Sequence, residues 1–142
     1  MGVSRVPSVH HHRNSLRVCG TMKSGRVPGE VAVQLTTHEQ DAVKHFVRGL
    51  KQRLGGRLDR VLLFGSRARG GARADSDIDL LVLVRGLDRE LESTVFDVLL
   101  DVQLESDADI SIVLFDTSQF ESYRQAGSQF ALNVIREGIL VT

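Results

Sequence analysis

The 142-residue chain holds a single cysteine, Cys19, so no intramolecular disulfide can form, and a reducing, cytosolic setting is the simpler expectation. Long apolar runs are absent as well. The longest, such as Leu80 to Val84, fall far short of the roughly 18 residues that a membrane helix takes. Proline is scarce, and both copies, Pro7 and Pro28, fall in the first thirty residues. No internal repeat is visible, which sets solenoid and propeller architectures aside. Net charge is also missing: 18 basic residues balance 18 acidic ones.

That balance conceals an asymmetry. Residues 1–30 carry Arg5, Arg13, Arg17, Lys23 and Arg26 against Glu30, whereas residues 31–142 hold 13 basic and 17 acidic side chains. A mildly acidic domain is a poor non-specific binder of polyanions, because phosphate neutralisation by Lys and Arg supplies most of that affinity, so nucleic acid is not the default partner. The basic lead, 1–30, has no hydrophobic periodicity and no apolar h-region of the kind a secretory signal needs. It reads either as a flexible extension or as an over-extended start with Met22 as initiator. His10-His11-His12 within it has no carboxylate or cysteine companions and reads as solvated linker.

What is present fits one domain, residues 31–142, long enough to bury a core. Order is expected from about Thr36, with Thr37 and Gln40 as a capping box. Val43, Phe46, Val47, Leu50 and Leu54 then form the stripe of an amphipathic helix that stops at Gly55-Gly56. His38 and His45 read as surface residues without partners. Arg60 to Phe64 reads as a strand, followed by a turn and a short helix over about 67–72, and Ile78 to Val84 as a second strand. Asp88 caps a long helix with Leu91, Val95, Val98, Leu99 and Val102 on one stripe. A third strand is expected over roughly 109–115. Ser118 with Glu121 suggests a capping box for a short helix ended by Gly127. Ser128 opens a last helix stopped by Gly138, before an edge strand at 139–141.

Chemistry concentrates between the first two strands. Side chains alternate along a strand, so Asp77 and Asp79 share a face, with Cβ atoms about 6–7 Å apart. Left bare, such carboxylates repel by up to about 4 kcal/mol at an effective dielectric near 20. Mg²⁺, which takes one or two carboxylates plus water and phosphate oxygens, removes that cost. Strands disfavour aspartate, and here two of them interrupt a buried-looking run, which is where functional sites tend to appear. Asp109, abutting the apolar run from Ile110, is the candidate third acid, to ligate metal and accept a hydroxyl proton. Asp107 shares its parity and competes, but sits in a polar turn. Gly65 permits close backbone approach to phosphate and Ser66 adds a hydroxyl. Arg69 shares the helix face of Ser66 and can reach a triphosphate, with Arg67 a weaker candidate and Arg73 a further one. A P-loop is excluded: Gly65 and Gly70 have its spacing, but Gly71-Ala72 replaces the Lys and Ser/Thr.

The stretch Gly65-Ser66-Arg67-Ala68-Arg69-Gly70 followed by Ser76-Asp77-Ile78-Asp79-Leu80-Leu81-Val82 resembles the DNA polymerase β-like nucleotidyltransferase superfamily. Its general signature is Gly-Ser, about ten residues, then Asp-x-Asp. More narrowly it is similar to the minimal nucleotidyltransferase domains of prokaryotes, as are Asp109 to Leu114 and Asn133 to Gly138. The resemblance covers about residues 37–142. One departure is Ile112, where related sequences often carry proline. The resemblance implies an α/β (α+β) fold with a small mixed sheet and packed helices, two Mg²⁺ ions, and ATP as substrate. It makes Asp77, Asp79 and Asp109 the metal-binding and catalytic acids, and Gly65 and Ser66 the phosphate turn.

Many minimal members are antitoxins beside a HEPN-domain RNase toxin, and some silence it by transferring AMP to a toxin tyrosine. The expectation is therefore a cytoplasmic enzyme that transfers AMP to a hydroxyl of a partner protein, a HEPN-type toxin. Two alternatives stand beside it. One is an antitoxin acting by contact alone. The other is a small-molecule nucleotidyltransferase like those for aminoglycosides, which add a helical half to hold the acceptor. With the chain ending at Thr142, the second substrate is expected on another protein or a second copy.

Overall fold

The computed structural model describes residues 3–5, 35–69 and 77–142, with 3–5, 66 and 69 described by backbone alone. Five strands form one mixed sheet: β1 (Val3–Arg5), β2 (Leu58–Phe64), β3 (Ile78–Val84), β4 (Ile110–Asp116) and β5 (Ile139–Leu140). Their order is β1-β4-β3-β2-β5. The helices are α1 (Thr37–Leu54), α2 (Ser66–Arg69), α3 (Arg89–Glu105), α4 (Thr117–Gln125) and α5 (Gln129–Glu137). Among the described residues only β3 and β4 pair in parallel, because α3 crosses over between them; the other pairs are antiparallel.

Alternation along the strands divides the core into two layers. Val61 and Leu63, Ile78, Leu80, Val82 and Val84, and Ile110, Ile112 and Leu114 pack under α1 and α3. On the opposite face Leu62, Phe64, Leu81, Leu83, Val113 and Phe115 pack under Phe120 of α4 and Ala131 and Val134 of α5. The central strand β3 is covered on both faces, and all seven of its residues are buried. The expected stripe of α1 is buried in full, joined by Ala42. On α3 the expected Val95, Val98, Leu99 and Val102 are buried and Leu91 packs at the margin. Among the described residues no helix is long and apolar enough to cross a membrane.

Four details depart from expectation. Val3–Arg5, within the segment read as a flexible lead, pairs with β4 as an edge strand, with Val3 opposite Phe115 and Arg5 opposite Val113. The exposed edge of a strand templates such pairing whatever the hydrophobic periodicity of the incoming segment. The rest of that lead lies outside the described residues. The cap of α1 falls one residue earlier than expected: Thr36 Oγ1 accepts from Glu39 N–H at 3.1 Å, and Glu39 Oε1 accepts from Thr36 N–H at 3.0 Å. A charged Glu suits the positive helix N-terminus better than Gln40 does. On α4, Asp116 is the cap through Ser118, while Glu121 pairs with Arg124 instead. His38 and His45 are exposed as expected but not partnerless. His38 Nε2 lies 3.5 Å from the Asp107 N–H, and His45 Nδ1 lies 3.5 Å from Glu105 Oε1.

These contacts run α1 antiparallel to α3, and Gly49 lies close against Val98 of α3. A Cβ there would sit 2.8 Å from Val98 Cγ1. The helix accepts the roughly 1 kcal/mol propensity loss of an interior glycine to let the buried Val98 in. A second tie joins α1 to α2. The Arg67 guanidinium, 3% exposed, binds both oxygens of Glu39, with Nη1–Oε1 at 2.7 Å and Nη2–Oε2 at 3.0 Å. Burial alone pushes the Glu39 carboxyl up, but Arg67 and the Thr36 donors outweigh it and hold it below the ordinary value of 4.5.

Two outcomes follow. Gly49→Ala is expected to lower unfolding stability by about 1–3 kcal/mol in denaturant titrations, despite its better helix propensity. Adding Val98→Ala to it makes room for the new methyl, so the pair shows favourable coupling. Strict additivity of the two losses would contradict the close approach. For Glu39, a depressed carboxyl contributes stability in full above 4.5, and that contribution is lost as pH falls through the folded value. The deficit of Glu39→Gln, on the order of 2 kcal/mol at pH 7, therefore shrinks in melts at pH 3. A deficit independent of pH would mean that the ion pair does not set it.

Candidate active site

Asp79 stands in β3 with six apolar neighbours, on the face shared with Leu81 and Leu83, and is 2% exposed. Its register partners are Phe64 on β2 and Ser111 on β4. Ser111, 5% exposed, donates its hydroxyl to Asp77 Oδ2 at 3.2 Å. Asp77 precedes β3 by one residue and so has the parity of Asp79. Asp109 precedes β4 by one residue, and its carbonyl accepts the Ile78 N–H at 2.9 Å, continuing the ladder. Parallel pairing thus carries Asp77, Asp79, Ser111 and Asp109 to one end and one face of the sheet. The Asp109 side chain is exposed there, as is that of Asp107, whose backbone lies against His38 of α1.

The glycine turn reaches the same end of the sheet. Phe64 pairs with Asp79, so Gly65 leaves β2 beside the acids. Its φ of 83° lies in the left-handed region, which a residue with a Cβ enters only under strain. The Ala68 N–H closes the turn on the Gly65 carbonyl at 3.2 Å. The backbone of Ser66 to Arg69 then forms α2. The side chains of Ser66 and Arg69, and all of Gly70 and Arg73, lie outside what is described. Arg67, the weaker phosphate candidate of the sequence, is buried against Glu39 of α1 beside the buried Ala68.

The donor chemistry at this corner suits a hard divalent cation: carboxylates on two neighbouring strands, one almost wholly buried in an apolar run. As the side chains stand, no three His, Cys, Asp or Glu groups among the described residues close around a common point. Asp77 is turned to Ser111, whose hydroxyl takes one of the several acceptor sites a carboxylate carries and is compatible with a cation on another.

Sequence reasoning missed Ser111 and Glu39. Ser111 carried the signal that exposed Asp79, a polar residue inside an apolar run, here Ile110 to Phe115. Glu39 carried the Thr-x-x-Glu signal one residue before the box that was read. Its pairing with Arg67, 28 residues away, has no local signature.

Comparison with known proteins agrees with this geometry. The family model described as "Polymerase beta, Nucleotidyltransferase" matches residues 50–142, which include the glycine turn and all three acids. Two proteins of Methanocaldococcus jannaschii are similar over shorter stretches. "Putative protein adenylyltransferase MJ0604" is 46% identical over 46 residues, and "Putative protein adenylyltransferase MJ0141" is 44% identical over 45. Each match covers 32% of this chain and 46% of the relative, so the similarity spans just under half the length of either relative. With the family match extending over most of the described domain, the chain belongs to the polymerase beta nucleotidyltransferase family.

Proposed function

We propose that this chain transfers AMP from ATP to a hydroxyl of a partner protein. The observation that carries the proposal is the convergence of Asp77, Asp79 and Asp109 with the Gly65 turn at one end of the sheet. The names of the two relatives support adenylyl as the group and protein as the acceptor. The resemblance to minimal nucleotidyltransferase domains supports a HEPN-type toxin as the partner.

In this reading Asp77 and Asp79 hold Mg²⁺, with Asp109 completing the donor set. When bound, the cation supplies charge neutralisation for the triphosphate and for the departing pyrophosphate. The backbone N–H groups after Gly65 and the Ser66 hydroxyl receive the phosphate tail, assisted by Arg69. The acceptor oxygen attacks the α-phosphorus, its proton passes to the Asp109 carboxylate, and the bond to the β-phosphate oxygen breaks. The products are an AMP ester of the partner and pyrophosphate. Ser111, by holding Asp77 Oδ2, limits that carboxylate to few rotamers before substrate arrives.

The test is incubation with Mg²⁺, α-labelled nucleoside triphosphates and a HEPN-type partner, followed by counting label on protein. Label from ATP is expected on the partner, falling by about 10²-fold or more for Asp77→Asn or Asp79→Asn. Partner inhibition that survives both substitutions, with no label transferred, would contradict the enzymatic reading in favour of contact blockade.

A further inference from the structure

The phosphate turn is a single helical turn, Ser66–Arg69, between the end of β2 and residues 70–76. A segment this short cannot hold its own conformation in water, since helix nucleation is unfavourable. Its position must be fixed from outside. The described residues supply two anchors. Ala68, fully buried, packs in the layer under α1 and α3, which sets the depth of the turn but not its rotation. Arg67 grips Glu39 through two parallel hydrogen bonds, and a planar fork on a carboxylate fixes orientation as well as distance.

The same carboxylate is bound by a second donor. Glu39 Oε1 accepts both the Arg67 Nη1 hydrogen bond and the Thr36 N–H that starts α1. Glu39 is therefore a fixed point, held by an 18-residue helix whose apolar stripe is buried in the core. Relative to apolar side chains of the same shape a buried ion pair gains little net stability, although removing one partner alone is costly. Its bidentate form also specifies geometry. Arg67 lies next to Ser66 in the chain, so rotation of α2 about Ala68 would swing the backbone donors that follow Gly65.

We propose that Glu39 and Arg67 are positioning residues for the triphosphate turn, their ion pair setting the angle at which its backbone N–H groups meet the phosphates. This rests on the nucleotidyl-transfer reading above and names how its substrate site is held. As positioning residues they act through the turn, with no contact to the nucleotide required of either.

Two variants of the full chain test it. Glu39→Gln keeps a carbonyl oxygen for Thr36, since capping boxes accept Gln, and removes the charge that Arg67 grips. Arg67→Lys keeps the charge and loses the fork. Calorimetric titration with Mg-ATP, and separately with AMP, is paired with amide exchange at Ala68 in the turn and Val82 in the sheet. Both variants are expected to bind Mg-ATP about tenfold more weakly, with AMP affinity within about twofold of the parent. Ala68 should exchange faster while Val82 stays protected. Parent-like Mg-ATP affinity in both variants overturns the proposal, whether or not Ala68 exchange changes. An affinity loss accompanied by lost Val82 protection in both variants also overturns it, as an effect of global unfolding. A parent chain that binds no Mg-ATP removes the nucleotide reading itself, and this inference with it.

Discussion

The parallel ladder between β3 and β4 is the contact on which the site depends. It sets Asp79 opposite Ser111 and, through the Ile78 N–H on the Asp109 carbonyl, continues to the level of Asp77 and Asp109. A slip of β3 by one residue would turn Asp79 into the apolar layer under α1 and α3, so the cost of burying a carboxylate there penalises the wrong register. Parallel pairing needs a long connection, and α3 provides it, buried by Val95, Val98, Leu99 and Val102. Packing of an ordinary amphipathic helix thus determines where the acids meet.

Opposing demands meet at this end of the sheet. Burying Asp79 and gathering further carboxylates around it costs free energy that an apolar strand would not incur. The fold offsets that cost with two fully packed layers. It also places donors nearby: the Ser111 hydroxyl on Asp77 within the site, and the Arg67 fork on Glu39 just outside it. Arg67, an arginine beside the Gly65 turn, is bound in space to Glu39 of α1, a partner with no local signature in the sequence.

Much of this was legible in the sequence, for identifiable reasons. The stripes of α1 and α3, the strand at Ile78 to Val84, and the turns at Gly55 and Gly127 follow from period and from glycine, which are local properties. Asp79 was legible because it violates strand propensity. The caps of α1 and α4 were misplaced because Thr36 and Thr37, or Asp116 and Ser118, are near-equal choices locally, and Arg67 and the Leu87 N–H on Asp116 decide between them from a distance. The β1 pairing was illegible because an edge strand is recruited by the partner it finds, and Val3–Arg5 has no pattern of its own. The Glu39–Arg67 pair, like the Gly49–Val98 approach, is purely tertiary.

The central claim is that the acids of β3 and β4 and the turn after β2 together seat a metal-bound triphosphate. A crystal structure of the chain with Mg²⁺ and an ATP analogue carrying a methylene between its α- and β-phosphorus tests it most directly. The account expects a cation coordinated by Asp77 and Asp79, with the terminal phosphates on the backbone N–H groups after Gly65. A nucleotide bound elsewhere, or seated with no cation on either aspartate, would contradict it.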